Sequence, residues 1–147
     1  MEISVAAMLD AMNQAGLRLT KPRRALATQV ADWARDDQDF TADGLWHAVR
    51  EHAPDVGRAT VFRTVEVLAE LGFLDRISFA DGSERYHAIA PGTHHHHLTC
   101  EQCHRVVDVT ACVPPDVLKQ IAQQAGFDLS GHRVEIFGRC PTCREQA

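Results

Sequence analysis

The sequence predicts an α+β protein in two parts: a helical first half closed by a short hairpin, and a smaller α/β second half tied together by cysteines. Three observations carry this. Apolar residues recur at helical spacing in four segments before residue 72. Alternating residues flank the turn Ala80-Asp81-Gly82-Ser83. Two Cys-x-x-Cys pairs, Cys100/Cys103 and Cys140/Cys143, bracket the second half, and the first follows directly on His94-His95-His96-His97. At 147 residues the chain accommodates one domain or two small ones. It contains no internal repeat, no Gly-rich phosphate loop and no nucleophile elbow.

The first helix covers residues 3–15, with Val5, Met8, Leu9, Met12 and Ala15 on one face. Thr20 can cap the second, and Pro22 fits its first turn, where a missing N–H costs nothing; it runs to about Trp33. An acidic loop, Arg35 to Asp39, follows. Thr41 and Gly44 open the third helix, which presents Leu45, Trp46 and Val49 inward up to His52 and is broken by Pro54. The fourth runs from Arg58 to Leu71 and stops at Gly72. Its apolar face is Val61, Val65, Leu68 and Leu71; Arg58, Thr60, Phe62, Arg63 and Thr64 are read as its exposed N-terminal positions. Phe73 to Phe79 and Glu84 to His87 form the hairpin. Helix, helix, turn, helix and two-stranded wing is the order of a winged helix-turn-helix, whose last helix lies in the major groove. The same order also fits a small α+β domain that binds no DNA. In the second half, Arg105–Val109 and Arg133–Phe137 read as strands, with a helix from Pro114 to Gln124 between them.

Charge is a weak guide. The formal net charge is -5, which gives no global sign of a nucleic-acid partner. Locally, Arg18, Lys21, Arg23 and Arg24 fall together with no acid among them, which keeps DNA open. No signal-peptide pattern and no membrane-spanning apolar stretch is read, so a cytoplasmic location without membrane association is expected, where paired Cys-x-x-Cys motifs hold metal rather than disulfides. Two such pairs supply the four sulfurs of a closed tetrahedral zinc site with no open position for chemistry. The histidine run is internal, which argues against a purification tag. Imidazoles suit an exchangeable ion, so a permanent metal beside an exchangeable one describes a sensor. In an extended segment neighbouring side chains point to opposite faces, so His95 and His97 can share one ion while His94 and His96 share another. Cys112 reads as a small buried hydrophobe rather than a ligand. His47, His52 and His104 read as structural or surface residues.

Five segments, in order and spread over nearly the whole chain, resemble the ferric uptake regulator family of metal-responsive repressors. They are Gly16-Leu-Arg-Leu-Thr-Lys-Pro-Arg, Arg58-Ala-Thr-Val-Phe-Arg-Thr-Val, Asp81-Gly-Ser-Glu-Arg-Tyr, His94-His-His-His-Leu-Thr-Cys-Glu-Gln-Cys and Gly138-Arg-Cys-Pro-Thr-Cys. The resemblance implies a winged-helix DNA-binding domain over 1–87, a hinge over 88–93 and a zinc-stapled, metal-binding dimerisation domain over 94–147. It places structural zinc on Cys100, Cys103, Cys140 and Cys143. It places a regulatory metal on His87, His95, His97 and Asp108, with Asp39 where the family usually has a histidine and Asp75 as an acid some members recruit. Asp39 at that position speaks against peroxide sensing. A second exchangeable site falls on His94, His96 and His132, with Asp116 as the acid.

The expected function is metal-dependent repression of uptake genes by a homodimer on a palindromic double-stranded operator, without enzymatic activity. Arg58, Thr60, Phe62 and Arg63 are candidates for base-edge contacts, Phe62 against a thymine methyl. Arg18, Lys21 and Arg23 would hold phosphates or reach a minor groove. The regulatory donor set suits iron(II), manganese(II) or zinc(II); the absence of a hinge cysteine favours iron or manganese, and Asp75 supports a zinc uptake regulator as the alternative. A cytosolic metal store or chaperone is the alternative of a different class. A zinc deaminase is disfavoured, because no His-x-Glu accompanies the cysteines.

Overall fold

A computed structural model of the chain describes residues 3–92 and 94–146. It divides into two compact units, Met1–Thr93 and His94–Ala147.

The first unit opens with three capped helices. In α1 (Val5–Gln14) the Ser4 hydroxyl accepts from the Ala7 N–H at 3.1 Å. In α2 (Lys21–Arg35) Thr20 caps the Arg23 N–H, with Pro22 in the first turn. In α3 (Ala42–Arg50) the Thr41 hydroxyl accepts from Gly44 at 2.9 Å. Each cap satisfies a donor that the helix itself leaves orphaned. The fourth helix, α4 (Arg58–Glu70), has no side-chain cap, and it ends ahead of Gly72 at φ 85°. Strands β1 (Leu74–Ser78) and β2 (Glu84–Ala88) pair antiparallel as the wing. Asp81 closes their turn by accepting from the Ser83 N–H at 2.9 Å. Phe40 adds a bridge to Tyr86, with N–H to carbonyl bonds of 3.0 and 2.7 Å in the two directions.

The core is the convergence of the four apolar faces: Met8, Met12, Leu26, Val30, Leu45, Val61, Val65 and Leu68 are essentially sealed from solvent. Leu68→Ala should therefore cost about 2–5 kcal/mol in urea unfolding, the sum of lost transfer energy and a residual cavity. A loss below about 1 kcal/mol would mean that the site collapses around the deletion.

Two sequence expectations change here. Thr64 is not an exposed helix position: it is 1% exposed, and its hydroxyl donates to the Thr60 carbonyl at 2.8 Å, which lets it point inward. The segment expected as a hinge is in part wing. Ala88 pairs with Leu74, the Ile89 N–H donates to Phe73 at 2.9 Å, and Ala90 is buried.

In the second unit a three-stranded sheet has the order β4-β3-β5. The central strand β3 (His96–Cys100) pairs antiparallel with β4 (Val106–Val109) and parallel with β5 (Glu135–Gly138). Helix α5 (Pro115–Gln124) connects β4 to β5, and a short α6 (Pro141–Glu145) follows. Apolar residues stay in water on both layers: Leu98, Val107, Ile136 and Phe137 on the sheet, Val117 and Ile121 on α5. None of the α5 residues is buried.

Candidate metal centres and nucleic-acid interface

The sheet topology gathers donors at its two ends. At the far end of β3, Cys100 lies opposite Gly138 of β5, two residues before Cys140, and the turn to β4 carries Cys103. The ligand atoms of Cys100, Cys103, Cys140 and Cys143 all lie within 4.8 Å of one another, with Cys103 Sγ 3.7 Å from Cys140 Sγ. Zinc–sulfur bonds of about 2.3 Å at tetrahedral angles place sulfurs about 3.8 Å apart, so the quartet fits zinc. The backbone prepares it for that ion. N–H groups of Cys103 and Cys140 hold the Cys100 thiol down to about 6, the latter at 3.3 Å. The Cys143 N–H, 3.5 Å from Cys140 Sγ, lowers that thiol too. Cys143, bonded to its fellow sulfurs and buried, is pushed up to about 12.

At the near end, β4 leaves the sheet opposite His96 and β5 enters opposite His97. The residues just outside those strands meet there. Cys112 Sγ lies 3.2 Å from His94 Nε2, 3.2 Å from His96 Nε2 and 3.1 Å from His132 Nε2. His96 is 4% exposed, and that burial, together with the neighbouring imidazoles, lowers its pKa. Two expectations are corrected. Cys112 is exposed rather than a buried hydrophobe, and it is Cys112 that meets the three histidines, while Asp116 lies outside the cluster. Asp116 sits exposed in the first turn of α5. No spacing motif pointed to Cys112; only its place just beyond β4 brings it in.

The other face of the histidine run carries His95 and His97, their rings 5.1 Å apart. His97 and Asp108 are cross-strand partners, and His97 Nδ1 donates to Asp108 Oδ1 at 3.1 Å. A carboxylate only accepts, so a proton sits on Nδ1 and the bond fixes the ring. The first unit repeats the arrangement. His87 Nδ1 donates to Asp39 Oδ1 at 2.6 Å because the Phe40–Tyr86 bridge sets these two side by side. Asp75 is the cross-strand partner of His87 in the wing. Asp39, expected as a ligand, makes to His87 the bond that Asp108 makes to His97, and His87 Nε2 lies 3.7 Å from Asp37 Oδ1.

On α4, Phe62 and Arg63 are exposed while Val61, Thr64 and Val65 are buried, so the first pair faces outward from the motif. Thr60 is half-buried. Arg58 makes a two-pronged ion pair with Asp43 (2.7 and 3.1 Å), which lowers the pKa of Asp43 and raises that of Arg58. The Arg58 guanidinium also stacks over the Phe62 ring at 4.7 Å. Arg18 and Lys21 are exposed, whereas Arg23 is spent in part on the Arg18 carbonyl at 2.7 Å.

A winged helix-turn-helix followed by a cysteine- and histidine-rich sheet defines a class of metal-binding winged-helix proteins. The family model described as "Ferric uptake regulator family" matches residues 14–137. The ferric uptake regulation protein of Bacillus subtilis (strain 168) is 30% identical over 145 residues, 97% of this chain and 96% of that one. That of Legionella pneumophila is 32% identical over 133 residues, 90% and 96% of the two chains. The crystal structure of the Vibrio cholerae ferric uptake regulator superposes with a TM-score of 0.66 at 26% identity, covering 89% and 98%. The chain belongs to the ferric uptake regulator family, and a metal-dependent repressor of metal homeostasis fits its fold and its donor clusters.

Proposed function

We propose that the protein is a metal-dependent, DNA-binding transcriptional repressor of metal-uptake genes, acting in the cytoplasm as a homodimer on a palindromic operator. One observation carries the reading furthest. Each unit holds a histidine, His87 or His97, whose Nδ1 is committed to a carboxylate that fixes its ring, as carboxylates do behind metal-binding histidines. His87 lies on the wing beside the helix that reads DNA; His97 lies in the metal-rich unit.

His87 and Asp75 in the first unit and His95, His97 and Asp108 in the second are the donors offered to an exchangeable ion in the repressing state. When bound, that ion supplies differential affinity: a state that satisfies all donors is favoured over one that does not. The nitrogen and oxygen donors suit iron(II) or manganese(II). Zinc(II) is the alternative, supported by Asp75 standing opposite His87. Cys100, Cys103, Cys140 and Cys143 hold a structural zinc. The exposed apolar residues of α5 and the sheet are the surface a second copy would cover, giving two reading helices related by symmetry.

The test is fluorescence anisotropy on duplex DNA from the upstream region of the protein's own gene, titrated with buffered zinc, manganese and anaerobic iron(II). Binding that tightens with one of these metals supports the reading and identifies the effector. DNA affinity that ignores every metal removes the sensor, and no affinity at all leaves a metal store. In the same assay Arg63→Ala should cost about 1–3 kcal/mol and relax sequence preference, whereas Lys21→Ala should weaken all sequences alike and lower the salt slope by about 1. Arg58 enters either role only by exchanging Asp43 for DNA.

A further inference from the structure

We propose that Cys112 supplies the fourth ligand of a closed His94/His96/Cys112/His132 site selective for zinc(II) over manganese(II) and iron(II). This rests on reading the three histidines as a second exchangeable site, and it assigns both the missing ligand and the metal.

The topology makes the site local. His94 and His96 stand on one face at the start of β3, Cys112 follows the exit of β4 and His132 precedes the entry of β5. All four therefore come from one unit. Three Nε2 atoms converge on one sulfur at 3.1–3.2 Å, and His96 is almost fully buried. Among the described residues no carboxylate joins the cluster. A thiol carries one proton and satisfies one of three nitrogens; a divalent cation satisfies all four donors together. Four donors without a free position make a structural or sensing site rather than a catalytic one.

The metal class follows from the donors. Manganese and magnesium favour carboxylate and water oxygens, imidazole accepts several transition metals, and thiolate selects soft or borderline ions. Three imidazoles with one thiolate in a tetrahedral set therefore favour zinc. The His95/His97/Asp108 face, with nitrogen and oxygen donors only, lacks that bias. The two faces of one histidine run thus differ in the metals they select.

The full chain, purified with zinc in its cysteine quartet, is titrated anaerobically with cobalt(II). A further ion should bind with a thiolate-to-cobalt charge-transfer band and the intense visible bands of tetrahedral cobalt. Zinc should displace it, and manganese in large excess should not. Cys112→Ser should abolish the charge-transfer band and weaken zinc binding at least about 10-fold, since even outer-shell changes cost about 10–100-fold. Cys112→Asp should retain an ion but shift preference toward manganese. Because Cys112 is exposed, both variants should keep the wild-type circular dichroism. A band that survives in Cys112→Ser, or unchanged zinc affinity there, would overturn the assignment. So would a second ion bound by the wild type without the band, although the three-histidine reading would then stand. No second ion at all would overturn both. The cobalt band without any metal effect on DNA affinity would support the site and strike the repressor reading instead.

Discussion

Cys140→Ser should dismantle the second unit and leave the first folded. The second unit has little else to hold it. Its sheet has three strands of four or five residues, its helix α5 buries no side chain within the unit, and its apolar residues are left for a second copy to cover. A small unit with so poor a core depends on staples. A structural zinc contributes about 10–16 kcal/mol in zinc-finger peptides, against a typical domain stability of about 5–15 kcal/mol. Removing one sulfur leaves three and a water-accessible ion, which is expected to forfeit most of that. The first unit keeps its own core of Met8, Leu26, Leu45, Val61 and Leu68 and needs no metal. Cysteine-quartet zinc by mass spectrometry, hydrogen exchange and sedimentation would report this together: zinc lost, β3 to β5 unprotected, dimer dissociated, and α1 to α4 protected as before. A variant that lost its zinc but kept protection over β3 to β5 would show that the sheet stands without the staple. Loading the wild-type quartet should also release protons, because zinc must displace the one that Cys143, at about 12, retains at neutral pH.

Much of this was legible in the sequence where local chemistry decides. Thr20 and Thr41 announced helix starts, Gly72 an end and Asp81-Gly82 a turn, because each acts through its own neighbours. The cysteine quartet was legible from spacing alone. Elements that exist only through tertiary pairing were not. The histidine run reads only as an extended segment, yet His96 and His97 become strand because β4 and β5 pair with them from both sides. Helix α6 is one short turn whose cap is the Cys140 sulfur, a role no propensity encodes. Thr64 looked like an exposed polar helix position; its hydroxyl instead returned to the Thr60 carbonyl and allowed burial. Cys112 was misplaced because which side chains meet beyond the strand ends depends on strand register, and register is a long-range property.

His97→Ala should abolish the effect of metal on DNA affinity while sparing both the cysteine quartet and the dimer. His97 belongs to the face of the histidine run that carries Asp108, and its ring is fixed by that carboxylate. Its loss removes an ordered donor rather than a flexible one, so metal affinity at the site should fall by more than the roughly 10–100-fold of an outer-shell change. Coupling between an effector and a second ligand is usually worth about 1–3 kcal/mol, a factor of about 5–150. The wild type should therefore bind operator that much more tightly with metal than without, and His97→Ala should bind alike in both conditions. Asp108→Asn makes the finer test. Its amide can donate as well as accept, so it no longer enforces the Nδ1–H form of His97; it should lose part of the response, restored by higher metal concentration. His94→Ala, on the opposite face, is the control that separates the two metal sets. Anisotropy with each variant at saturating and at chelated metal distinguishes the outcomes. A His97→Ala protein that still responds fully to metal would move the regulatory site away from this face, and one whose response vanishes only with His94→Ala would place it at the thiolate end of the sheet.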